Sequence, residues 1–194
     1  MEKNMIERIS NCRKCGLCIN QKPLLDAEKN CQLFWVGLSA RKAVSEDESP
    51  LSPLSPSGQI IQEAEKALEG AISYKTNLVK CLPLTEVNKI RYPSRQEIDC
   101  CFDNLLLEFH AMAPKVVFLL GKQVSLSMER HLGTHIDTWT QFSYRFTRIG
   151  NTCYVPVQHP SYISVYARNK AGEYIRGIKD VYDRIANAGM LTSP

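Results

Sequence analysis

Three cysteines two residues apart, Cys12, Cys15 and Cys18 in "NCRKCGLC", carry the densest chemistry in the chain. Thiolates at this spacing serve as ligands for zinc or for an iron–sulfur cluster. The run matches the start of a bacterial ferredoxin pattern but lacks the fourth Cys three residues on and its Pro. A zinc ribbon needs a second Cys-x-x-Cys, and none follows. Cys81 and the adjacent Cys100 and Cys101 are the candidates to complete a site. Spacing alone leaves open that these three are small core residues, since free Cys is often buried. Cys31 and Cys153, inside strand-like runs, read as core.

Other chemistry-bearing side chains stand where apolar runs end. Asn77 precedes an apolar pair in "TNLVKCLPL", and His159 follows one in "VPVQHPS". An amide carries both a donor and an acceptor, and an imidazole can stabilise developing negative charge. Taken singly, Asn77 reads as a strand-end residue satisfying local backbone and His159 as a surface-loop His. Glu46 and Asp47 in "SEDES" read by themselves as a solvated loop.

The elements that must position these residues follow from periodicity. "CQLFWVGL" (Cys31–Leu38) is a buried strand ending near Gly37, and a long Pro- and Ser-rich loop follows it. Ile60, Ile61, Ala64, Ala67 and Leu68 share one helical face in Gly58–Gly70, and "TNLVKCLPL" supplies the second strand. Ser94 and Glu97 form a capping box for a helix through Met112, with Ile98, Cys101, Leu105 and Phe109 on one face. "KVVFLLG" is a third strand, followed by a helical "KQVSLSMERHL". "FSYRFTRIGNTCYVPVQHPS" reads as a strand, a Gly-Asn turn and a fourth core strand, and an amphipathic helix runs from Gly172 to about Ala188. Strands alternating with helices predict a mostly parallel sheet, whose ligands bind at the carboxyl ends of the strands.

Composition bounds the class. With 194 residues, 44% hydrophobic and 23% charged, the chain is sized for one globular α/β domain over 1–194. The polar N-terminus shows no apolar h-region and no run is long enough to cross a bilayer, so a cytoplasmic protein without a membrane partner is expected. In a reducing compartment eight cysteines point to metal or catalysis before disulfides. A net charge of +4 permits a nucleic-acid partner.

Taken in order, "VGL…SED…PLSPSGQII", "YKTNLVKCLPL…RYPSRQEIDCC", "PKVVFLLG" and "VPVQHPSYI" resemble the family 4 uracil-DNA glycosylases, the iron–sulfur members of the uracil-DNA glycosylase superfamily. The resemblance runs from Cys12 to about Arg168. It implies a three-layer α/β/α sandwich around a four-stranded, mostly parallel sheet, with a [4Fe-4S] cluster bound by an N-terminal segment (about 10–31). The implied ligands are Cys12, Cys15, Cys81 and Cys101, with Cys18 and Cys100 the alternatives. It implies that Asn77 reads the edge of a base flipped out of DNA and that His159 stabilises charge on the departing pyrimidine. Pro160 and Ser161 would press on the DNA backbone, and Arg168 and Lys170 would contact phosphates. The expected partner is DNA and the expected state a monomer.

The first motif departs from the family. Gly37 matches, but Leu38 stands where the family has an acidic residue, and Leu54 where it has the aromatic that stacks on uracil. Glu46 and Asp47 are the best match to the family's later acidic pair. Losing an aromatic platform costs about 1–3 kcal/mol of stacking and opens volume for a bulkier base. The resemblance therefore implies a monofunctional DNA N-glycosylase of base excision repair that leaves an abasic site. Its substrate would be uracil or a modified pyrimidine, for instance a hypermodified phage base in a phage-defence setting. The alternative is an iron–sulfur DNA-binding module of the same fold with little or no catalysis.

Overall fold

The computed structural model describes residues 4–45 and 48–191. Five strands form one sheet: β1 (Leu33–Ser39), β2 (Ser73–Val79), β3 (Val116–Leu120), β4 (Thr147–Ile149) and β5 (Thr152–Val157). Their order is β2-β1-β3-β5-β4. The four core strands are parallel, as expected, and the sheet carries one strand more than the expected four. The short β4 pairs antiparallel with β5 through the Gly150-Asn151 turn, and so forms one edge.

Helices cover both faces. Helix α3 (Arg95–Met112) and α4 (Lys122–Leu132) lay Ile98, Phe102, Leu105, Val124 and Met128 against Phe34, Val36, Leu78 and Leu119. On the opposite face α2 (Pro56–Ala67), α5 (Pro160–Tyr166) and α6 (Ala171–Asn187) pack Ile61, Ile163, Tyr174 and Ile178 on Trp35, Phe118 and Val155. The short α1 (Met5–Ser10) precedes the cysteine segment. Local sequence explains the helix starts. Ser94 and Glu97 make the expected capping box on α3. Helix α2 begins two residues before the Gly58 expected from periodicity, because Ser55 caps it and Pro56 suits its first turn. Cys31 and Cys153 lie in the core. No helix is long and apolar enough to cross a membrane among the described residues.

The order of strands locates the site. The chain passes from β1 to β2 on one side, then crosses to β3 on the other side of β1. That reversal leaves a crevice beyond the carboxyl ends of β1 and β3.

Candidate base-binding cleft and cysteine centre

A cleft of about 650 Å³ occupies that crevice. Its floor is Leu38 and Ser39 at the end of β1 and Leu120 and Gly121 at the end of β3. Lys122, Gln123 and Val124 at the start of α4 form one wall, Ile90, Arg91 and Tyr92 another, and His159 and Ser161 a third. The volume falls in the range of small-ligand pockets. Arg91 is held by two charge-assisted bonds to Glu97, at 2.8 and 2.6 Å, which pin the 90–92 wall to α3. The guanidinium, with the Ser94 backbone and hydroxyl assisting against desolvation, holds the Glu97 carboxyl down at about 2.

His159 owes its orientation to the turn that follows it. It is the N-cap of α5, with Pro160 in the first turn, and its Nδ1 accepts the backbone N–H of Ser161 at 3.1 Å. The Ser161 hydroxyl also lies 2.7 Å from Nδ1. With Nδ1 occupied as an acceptor, the proton of the neutral ring belongs on Nε2. Burial lowers the His159 pKa below its ordinary value, which favours that neutral ring. Behind it, the Tyr174 hydroxyl donates to the Gln158 carbonyl at 3.1 Å. Gly121, at φ +96°, lets the backbone pass close, since a β-carbon there would sit 3.2 Å from the His159 Cβ.

Asn77 reaches the same end of the sheet from β2. It is buried and is the register partner of Gly37 on β1. A β-carbon on Gly37 would overlap the Asn77 amide oxygen, so the bare glycine is what admits this side chain. Asn77 is not among the residues lining the cleft; it stands beside Gly37, one residue before Leu38 on the cleft floor. Asn77 and His159 are therefore separated across the strand order by β1 and β3, three inter-strand steps of roughly 4.8 Å each.

The remaining expected residues are dispersed. Glu46 and Asp47 lie outside the described residues. Leu54 is exposed in the turn before α2 and does not line the cleft. Pro160 is buried in the first turn of α5, while Ser161 is exposed at the cleft. Arg168 and Lys170 are exposed on the short turn before α6, and Lys170 lines a neighbouring surface pocket with Tyr162 and Tyr166. In the loop after β1, Arg41 pairs with the buried Glu48, whose other oxygen accepts the Val44 N–H at 2.6 Å.

Six of the eight cysteines meet in a second cavity, on the α3 side of the β2 end. Cys12, Cys15, Cys18, Cys81, Cys100 and Cys101 all line it, and none is disulfide-bonded. Burial first, then neighbouring thiols with Cys101 foremost, pushes Cys81 up to about 12. Cys15 is likewise raised, chiefly by burial and with Cys101 and Cys12 contributing. Donors point at the sulfurs: the Lys80 N–H lies 3.5 Å from Cys101 Sγ, and Asn104 Nδ2 lies 3.4 Å from Cys12 Sγ and 3.7 Å from Cys101 Sγ. No group of three or more His, Cys, Asp or Glu is arranged to hold a single metal ion among the described residues. A soft, all-sulfur donor set is the kind that a thiophilic metal ion or an iron–sulfur group takes.

Sequence reading missed two polar residues that organise this region, Lys80 and Glu108. Both are fully buried and paired at 2.7 Å. Glu108 falls at helical spacing with Cys101 and Asn104 on one face of α3, but neither its charge nor that of Lys80 signals burial in the sequence.

The model of the "Uracil DNA glycosylase superfamily" matches residues 21–180, a span that begins after Cys18. A type-4 uracil-DNA glycosylase of Pyrobaculum aerophilum is 30% identical over 118 residues, covering 59% of this chain and 58% of that protein. A second type-4 uracil-DNA glycosylase, from Archaeoglobus fulgidus, is 28% identical over 124 residues, covering 61% and 59%. The chain thus spans less than two thirds of the length of either curated relative. On the matched span, the chain belongs to the uracil-DNA glycosylase superfamily, and both curated relatives it is similar to are named type-4 uracil-DNA glycosylases.

Proposed function

We propose that the protein is a monofunctional DNA N-glycosylase that swings one pyrimidine nucleotide out of DNA and hydrolyses its N-glycosidic bond. The observation that carries this reading is the cleft at the sheet's switch point, walled by His159 and floored next to the Gly37–Asn77 pair. A base entering beside Leu38 meets the Asn77 amide, which can donate to and accept from a pyrimidine edge. On the opposite side His159 Nε2–H donates toward the O2 of the leaving base, where negative charge grows as the bond breaks. A neutral donor placed in advance stabilises that charge without a proton having to be transferred to the base. Ser161 holds the imidazole in the required tautomer. Water activation falls to Glu46 or Asp47, the remaining acidic candidates after β1.

The substrate we favour is a pyrimidine bulkier than uracil. Leu38, on the cleft floor, stands where the family has an acidic residue, and a cleft of about 650 Å³ has room for a substituent on the pyrimidine ring. The type-4 relatives support uracil as the reference substrate. Cys12, Cys15, Cys81 and Cys101 would hold a [4Fe-4S] cluster, with Cys18 the alternative member of the N-terminal pair. When bound, such a group supplies a cross-link between the N-terminal segment, the end of β2 and α3, closing long loops of chain.

A second reading, a DNA-binding module that does not cleave, draws on one feature. The acidic position after β1 is Leu38, and the nearby Glu48 carboxylate is occupied by Arg41 and the Val44 N–H. Incubation with DNAs carrying a panel of plain and modified pyrimidines, read by mass spectrometry of released bases, separates the two. Release of one base supports the glycosylase; DNA binding with no base released from any member overturns it.

A further inference from the structure

β2 is the edge strand of the sheet, so its outward backbone groups have no neighbouring strand to pair with. Side chains take them instead. The Asp26 carboxylate accepts the Lys75 N–H at 3.0 Å. Three residues past Asn77, the Lys80 ammonium donates to the Asn77 carbonyl at 2.7 Å. The same ammonium donates to Thr76 Oγ1 at 2.6 Å and to Glu108 Oε2 at 2.7 Å, which uses all three of its protons. Glu108 in turn accepts from the Thr76 hydroxyl and, at 3.1 Å, from the Tyr74 hydroxyl. Lys80 and Glu108 are fully buried, yet neither lines the cleft.

A buried ion pair is a poor source of net stability, because desolvating two charges offsets most of their attraction. What this pair supplies is geometry. We propose that Lys80 is a positioning residue: its ammonium clamps the Asn77 peptide while its backbone N–H holds Cys101 Sγ. One residue thus ties Asn77, beside the cleft floor, to the cysteine centre on α3. Gly37 leaves room for the Asn77 side chain on one side, and Lys80 holds the Asn77 backbone on the other. The role rests on the reading of Asn77 as the base-contacting amide.

The test compares the full chain, purified anaerobically, with the Lys80→Met/Glu108→Gln double variant. It removes both charges together and leaves an acceptor for Tyr74 and Thr76, so no buried charge is stranded. Hydrogen exchange read by mass spectrometry is expected to quicken in peptides covering 74–81, with those covering β3 and α6 unchanged. Base release is expected to slow by about 10- to 100-fold, with DNA affinity held within about threefold. On an Asn77→Ala background the same double substitution is expected to cost almost nothing, because a residue acting through Asn77 has nothing left to position. Unchanged exchange at 74–81, acceleration throughout the chain, or full additivity with Asn77→Ala would each overturn the proposal. Should the parent release no base at all, the glycosylase reading falls and the exchange result alone judges the Lys80–Asn77 clamp.

Discussion

Gly37 and Asn77 face each other across β1 and β2 as register partners, and the glycine's missing β-carbon is the space that the Asn77 amide oxygen fills. The overlapping atom in a Gly37→Ala variant would be the far end of a side chain, which can swing away. The fold should therefore survive, with a stability loss of about 1–2 kcal/mol, while the amide leaves its position. Single-turnover base release should drop roughly 10²-fold, while the thermal unfolding midpoint falls by only about 2–8 °C. Equal loss of both would mean that Gly37 serves packing only.

Lys80→Met alone differs from the charge-balanced double variant. It strands Glu108 in a site where burial already raises its pKa. Breaking one side of a buried pair costs about 3–5 kcal/mol, so urea unfolding should move to clearly lower midpoints. Adding Glu108→Gln should recover most of that stability. Failure to recover would show that the two residues are not energetically paired.

His159 gives a pH dependence with a defined sign. Its folded pKa lies below the ordinary value near 6.5, so the folded protein favours the neutral ring. The stability this contributes is present above that ordinary value and is lost as pH falls through the folded one. The rate should follow the same direction: level through neutral pH, falling only on the acid side of 6.5. In His159→Gln the overall rate should be lower and this acid limb absent. An acid limb that persists in His159→Gln would assign the titration to another group.

The cysteines divide by position. Cys81→Ser and Cys101→Ser should each lose iron, acid-labile sulfide and broad visible absorption, whereas Cys31→Ser and Cys153→Ser, altered in the core, should retain them. Cys100→Ser should retain them too, and a parallel Cys18→Ser tests the alternative ligand. Stoichiometric zinc without visible absorption in the parent protein would replace the cluster with another metal.

Much of the architecture is legible along the chain because apolar runs and caps are local signals. β1, the capping box at Ser94 and the tail helix fall where periodicity places them. The strand expected before the Gly-Asn turn is β4, a three-residue edge strand that pairs across the Gly150 turn and that the four-stranded sheet implied by resemblance omits. The meeting of Cys12, Cys81 and Cys101 was readable only through resemblance, since residues far apart in sequence announce no contact. Lys80 and Glu108 were illegible for a different reason. Lys80, just past the end of β2, and Glu108, on a helix, both read as solvated until the fold buries them against each other. The loop after β1 remained obscure because Arg41 and Glu48 satisfy one another across seven residues, a pairing that no periodic pattern encodes.

The claim on which the rest depends is that Asn77, beside the Gly37 end of the cleft floor, and His159, in the cleft wall, act on one extruded pyrimidine. Single-turnover excision from the preferred DNA, with Asn77→Ala, His159→Ala and the combined variant compared against the parent, tests it most directly. The account predicts a loss of roughly 10²–10³-fold for each single change, with DNA affinity nearly unaltered and an abasic site as the product of the parent. Excision that proceeds at the parental rate in both single variants would contradict it.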